Sequence, residues 1–159
     1  MKIDIIAVGK VREKYIKEGI AEFTKRLQPY CKLSLTDLRA EHTPDHFSEK
    51  EIEQVKEIEG ERILQRIHPN AYIIALDVKG KQMSSEQVAK KMEQISFQGK
   101  NKITFIIGGA NGLSETVLKR AHERLSFSKM TFPHQLMKLI LLEQIYRSYK
   151  IQRGEPYHK

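Results

Sequence analysis

The chain contains a single cysteine, Cys31, and no apolar run near the ~18 consecutive residues that a membrane-spanning helix requires. One thiol leaves no partner for an internal disulfide and too few sulfur ligands for a cysteine-based metal site, as expected in a reducing compartment. The opening stretch MKIDIIAVGKVREKY holds one short apolar run broken at once by charge and offers no small-residue cleavage site. It reads as a first strand, and the expected location is cytoplasmic, with no membrane partner. His42, His46, His68, His122 and His134 show no ligand-pair spacing with nearby carboxylates. No metal is expected, and these histidines read as surface or capping residues. Serine-elbow and cysteine-nucleophile motifs are also missing, and Cys31, behind Pro29 and Tyr30, reads as a small packed residue. Without repeats or low-complexity linkers, 159 residues at 40% hydrophobic and 30% charged describe one globular domain burying roughly 70% of its unfolded surface.

What the chain has in excess is positive charge, unevenly placed. The formal net charge is +8, yet residues 1–79 balance 14 basic against 14 acidic side chains while residues 80–159 carry 14 against 6. From Lys119 onward nine basic residues face three acidic ones, in a stretch that also holds aromatics and three histidines. Such a half suits a polyanionic partner such as RNA; the alternative is charge that merely keeps a small protein soluble.

Strand and helix signals alternate. Residues 2–8, 32–38, 72–78 and 103–107 are short apolar or alternating runs, and the last two are continuous in the manner of strands buried on both faces. Lys79-Gly80 reads as the turn closing the third. Ile16, Ile20, Phe23 and Leu27 recur at helical spacing, with Pro29 beyond them. Ser48 with Glu51, and Ser84 with Gln87, have capping-box spacing and open helices running to about Ile67 and Phe97. The run GGANGLSE leads into a helix expected near residues 114–125, and Pro133 precedes a last helix near 134–152. Strands separated by helices predict a single-domain α/β fold, a mainly parallel sheet flanked by helices.

Three constellations in the basic half can carry chemistry. Leu76-Asp77 and Gly108-Gly109 fall at strand carboxyl ends, where open α/β sheets bind ligands. Gly108, Gly109 and Gly112 are spaced GGxxG, neither the dinucleotide fingerprint nor a phosphate loop, so a tight turn without a ligand is an equal reading. Residues 125–134, LSFSKMTFPH, suit either an edge strand or a segment that wraps a ring such as adenine with amides and apolar walls. The last helix and tail present Glu143, Arg147, Lys150, Arg153, Tyr157 and His158. Glu143 and Arg147 share a helix face, as an exposed ion pair or as part of a site. Tyr157-His158 is either a frayed end or an aromatic that stacks on a base beside a proton-handling histidine.

The strand YIIALDVKGK, the turn FIIGGANGLS, the segment LSFSKMTFPHQL and the ending IYRSYKIQRGEPYHK, in this order over essentially the whole length, resemble the ribosomal RNA large subunit methyltransferase H family of the SPOUT (α/β-knot) superfamily. The resemblance implies one SPOUT domain over residues 1–159, with a C-terminal trefoil knot in a cofactor-binding region of about 72–159. It implies S-adenosylmethionine-dependent methylation of N3 of a pseudouridine in 23S rRNA, on the assembled 70S ribosome, by a homodimer with no DNA partner. Carried onto matching positions, Leu76, Gly108, Phe127, Ser128, Lys129, Met130, Thr131 and Phe132 form the cofactor site, with Gly109 and Pro133 shaping its turns. The imide N3–H must lose its proton before or during attack. The expected roles are therefore His158 as proton acceptor, Arg147 or Arg153 favouring the anion, Tyr157 positioning the base and Glu143 orienting Arg147. Arg120, Arg124, Lys150 and Arg153 are expected to bind RNA, with Lys119 and Lys129 adding phosphate contacts. Leu136, Leu139, Ile140 and Leu142 are candidates for the dimer surface. Two rival readings are a non-catalytic ribosome- or RNA-binding module and a dinucleotide-type enzyme, the latter disfavoured by the glycine spacing.

Overall fold

The computed structural model describes residues 1–158. Five strands and five helices follow in order: β1 (Lys2–Val8), α1 (Lys14–Leu27), β2 (Lys32–Leu38), α2 (Glu49–Leu64), β3 (Tyr72–Gln82), α3 (Ser85–Phe97), β4 (Lys102–Ile107), α4 (Glu115–Arg120), β5 (Glu123–Ser126) and α5 (His134–Gln152). Both capping boxes form. The Ser48 hydroxyl accepts from the Glu51 backbone N–H while the Glu51 carboxylate accepts from the Ser48 N–H, and Ser84 and Gln87 reciprocate in the same way.

The sheet order is β2-β1-β4-β3-β5, and every pairing is parallel. The two-residue strand period then sorts side chains into two cores. Ile3, Ile5, Ile74, Ile103 and Phe105 pack beneath α1, α3 and α5. Ile6, Val8, Ile73, Ala75 and Ile106 pack with residues of α2 and α4 on the other face. Helix α5 runs from the carboxyl-end side of the sheet to its amino-end side. Its first residue, His134, lies against Gly9 at the carboxyl end of β1, and its last turns stack Tyr149 on Tyr30, just ahead of β2.

Two expected boundaries are corrected. Strand β3 does not turn at Lys79-Gly80 but runs on to Gln82, pairing Lys81 and Gln82 with Leu125 and Ser126 after a bulge beyond Leu76. A Cβ on Gly80 would lie 2.7 Å from the Arg124 carbonyl, so glycine is what lets the backbones pass. The helix expected to reach Leu125 stops at Arg120. The Ile73 N–H donates to His122 Nδ1 and the His122 N–H to the Ile73 carbonyl, each at 2.9 Å, which draws the chain onto the free edge of β3 as β5. Leu142 is fully buried in its own core and is withdrawn from the candidate dimer surface, while Leu136, Leu139 and Ile140 stay partly exposed.

Candidate active site

Because all strands are parallel, their carboxyl ends share one side of the sheet, and a cleft of about 660 Å³ opens there. Its floor is the stretch of β3 at its bulge (Leu76, Asp77, Val78) and the turn after β4 (residues 108–112); its far wall is the segment after β5, including Phe127, Ser128, Met130, Thr131 and Phe132. The turn is tight: a Cβ on Gly108 would sit 2.9 Å from the Gly112 carbonyl carbon, and Gly112 itself holds φ of +86°. The far wall is braced from within, by Ser126 Oγ donating to the Ser128 carbonyl and the Met130 N–H donating to Ser128 Oγ, each at 3.0 Å. Of the eight residues expected here, seven line the cleft; Lys129 is exposed and is not among the lining residues.

Sequence reasoning missed several lining residues. His134, read as surface or capping, is only partly exposed and faces the cleft, and burial holds its imidazole below the usual histidine range. Asn111 lines the turn and donates to Thr43 Oγ1 at 3.0 Å, tying the turn to the segment after β2. Spacing along the chain gives no sign of these contacts, because each partner arrives from a different element.

Glu143, Arg147, Tyr157 and His158 form a second cluster, on the flank of α5. Glu143 accepts from Arg147 Nη2 at 2.8 Å, from Arg147 Nε at 3.1 Å, from the Tyr157 hydroxyl at 2.8 Å and, at its other oxygen, from Gln144 at 2.8 Å. The hydrogen bonds that Arg147 donates to Glu143 raise the guanidinium pKa further, and burial followed by the Glu143 contact raises that of the Tyr157 phenol. Arg147 therefore stays charged and Tyr157 stays a donor. The guanidinium also lies over the Tyr157 ring, 4.8 Å from its centroid. His158 joins the cluster through Nδ1, 3.0 Å from Arg147 Nη1, and reaches Glu86 on α3 through Nε2 at 2.5 Å. Arginine has only donors, so Nδ1 carries the lone pair and the proton sits on Nε2, toward Glu86. The tail is thus docked, and the ion pair is part of a four-residue constellation.

None of these four lines the cleft. Along α5, Glu143 is six residues beyond the lining residue Met137, an axial rise of ~9 Å, and Arg147 is ~15 Å beyond it.

The expected RNA contacts fall at opposite edges of the sheet. Arg120 and Arg124 are exposed around β5. Lys150 and Arg153 crowd Tyr30 ahead of β2: Lys150 pairs with Glu155 at 2.9 Å, and the Arg153 guanidinium lies 4.5 Å from the Tyr30 ring centroid. Cys31 nearby has its thiol pushed up to about 11 by burial and stays protonated. Among the described residues no cluster of histidine, cysteine and carboxylate side chains could hold a metal ion, and no helix is long and apolar enough to cross a membrane.

A family model described as "Predicted SPOUT methyltransferase" matches residues 1–158. Proteins called ribosomal RNA large subunit methyltransferase H, from Bacillus pumilus, an Exiguobacterium species and Carboxydothermus hydrogenoformans, are 54%, 57% and 56% identical to this chain over 159 residues, covering 100% of both chains in each case. The solved structure of a probable methylase family protein from Haemophilus influenzae shares the fold, with a TM-score of 0.55 over 99% of this chain and 70% of its own at 13% identity. A parallel α/β sheet with a glycine-rich cleft, matched over its full length at this identity, places the chain in the ribosomal RNA large subunit methyltransferase H family of the SPOUT methyltransferases.

Proposed function

We propose that the protein transfers a methyl group from S-adenosylmethionine to N3 of a pseudouridine in 23S rRNA, acting in the cytoplasm as a homodimer on the assembled 70S ribosome and holding its C-terminal region in a trefoil knot. The observation that carries this reading is end-to-end identity of 54–57% with relatives named for methylation of large-subunit rRNA. The cleft suits the donor in size and chemistry. About 660 Å³ lies in the ~300–1,000 Å³ range of small-molecule sites. Glycine backbone leaves room for close approach, Leu76, Phe127 and Phe132 offer apolar walls to a purine, and the Asp77 carboxylate complements a cation.

When bound, S-adenosylmethionine supplies an electrophilic methyl carbon on a sulfonium. The acceptor N3 forms the new C–N bond as the C–S bond breaks, and the N3 proton leaves to a base. Holding the reacting atoms in line is worth up to ~7–11 kcal/mol. His158 Nδ1 takes the proton as Arg147 Nη1 turns from it toward the imide anion, which the guanidinium stabilises, and Tyr157 positions the base. Glu143 holds both in place. Because this cluster stands apart from the cleft within one subunit, the reading requires the tail of one protomer to complete the cleft of its partner.

The test is transfer of labelled methyl to unmodified 70S ribosomes, isolated large subunits and naked rRNA, with the modified nucleotide mapped. Label on one pseudouridine in 70S particles alone is the expected result. Donor binding with no label in any sample would point to another acceptor, and RNA binding without donor binding would favour a non-catalytic RNA-binding module.

A further inference from the structure

Glu59 lies on α2 at 4% exposure, beneath the cleft turn, with half of its carboxyl unsatisfied. Oε2 accepts the Glu41 backbone N–H at 3.0 Å, whereas buried Oε1 has no hydrogen-bond partner. A buried polar atom in that condition is costly and calls for a reason. The nearest cation does not provide one, since Arg62 is engaged by the Glu41 carboxylate and the Arg39 carbonyl. Burial holds the Glu59 carboxyl above the usual range, with the Glu41 N–H and Arg62 drawing it back and the Glu41 carboxylate adding to the rise.

The reason lies on the opposite side. Both Glu59 oxygens are 3.4 Å from where a Cβ on Gly109 would stand, so the carboxyl rests against the backbone of the turn that floors the cleft. Val8 Cγ1, at 3.1 Å from the same point, closes the space beside it. The Asn111–Thr43 hydrogen bond ties the same turn to the segment that carries Glu41. We propose that Glu59 is a positioning residue for the methyl donor: wedged between the Glu41 backbone and Gly109, it sets the height of the glycine turn in the cleft. The inference rests on the reading that the cleft takes S-adenosylmethionine.

Glu59→Ala lets the turn sink, while Glu59→Gln keeps the volume and the acceptor for Glu41. Titration calorimetry with S-adenosylmethionine is expected to show Kd raised tenfold or more in E59A and within threefold of the unmodified protein in E59Q, with KM for the rRNA substrate changed less than twofold in both. A stabilising role alone would lower Tm without separating donor from RNA. Donor Kd in E59A within twofold of the unmodified protein, or equal weakening in E59A and E59Q, overturns the proposal. Should E59A fail to fold, Glu59→Asp withdraws the carboxyl by one methylene; at least threefold weaker donor binding is expected, and no change overturns it. Failure of the unmodified protein to bind the donor removes the underlying reading and the proposal with it.

Discussion

Glu143 is the residue on which the tail cluster turns, because Arg147, Tyr157 and Gln144 all donate to it. Glu143→Gln removes the charge that holds the guanidinium but touches no lining residue of the cleft in its own subunit. Its single-turnover methylation rate is expected to fall ~10²-fold, as for loss of a group that organises charge at a reacting centre. Donor Kd should stay within twofold, and a matching loss of donor affinity in rapid-quench and calorimetric measurements would make Glu143 part of the donor site instead. Glu59 makes a separate prediction with pH. Its carboxyl titrates above its ordinary value, so the folded chain holds that proton more tightly than the unfolded one. That stabilisation is full below the ordinary carboxylate pKa and is lost as pH rises through the raised one. E59Q has nothing to titrate there, so the Tm of the unmodified protein is expected to fall relative to E59Q as pH rises from about 4.5 toward neutrality. Parallel Tm curves would contradict this.

Helix α3 contributes no residue to the cleft lining, yet it holds the tail cluster in place. Its capping box fixes the first turn, and that turn presents Glu86 to His158 and Ser85 to Gln144. Ser84→Ala is expected to cost about 1 kcal/mol, lowering Tm by roughly 2–4 °C, and to weaken tail docking, read as faster hydrogen exchange at Tyr157 and His158. Boundaries of this kind were legible in the sequence because a cap is local: Ser48, Ser84 and Pro133 mark where α2, α3 and α5 begin. The segment after Ser114 was not, because residues 115–125 have helical pattern while the decisive bonds are to Ile73, far away in the chain. Gly80 misled for the same reason. It looked like a turn, and its actual use is the close approach of β5. In the site, strand ends and the glycine run pointed to the cleft, while the wall residue by residue and the roles proposed for the tail rest on family resemblance. Glu59, Asn111, His134 and Glu86 were invisible, since each acts through a partner on another element.

At the scale of the whole molecule, a cleft and a tail cluster spaced along one helix make the proposed composite site testable by mixing subunits. A variant dead in the cleft (Gly108→Val) mixed and refolded with one dead in the tail (Arg147→Ala) is expected to recover roughly a quarter of native activity, from heterodimers with one intact composite site. No recovery, with heterodimers demonstrated by mass, would mean that each subunit works alone. The strand order carries a last consequence, for how the chain is made. Strand β1 lies between β2 and β4, so Lys2 waits for Lys102 to emerge before its second flank is covered. The layer of α1, α3 and α5 closes only when the final helix, ending at Gln152, is free to pack between the other two. A growing chain therefore carries an open β edge and an uncovered apolar face until β4 and then α5 are made, so the covering of the sheet is a late event in folding.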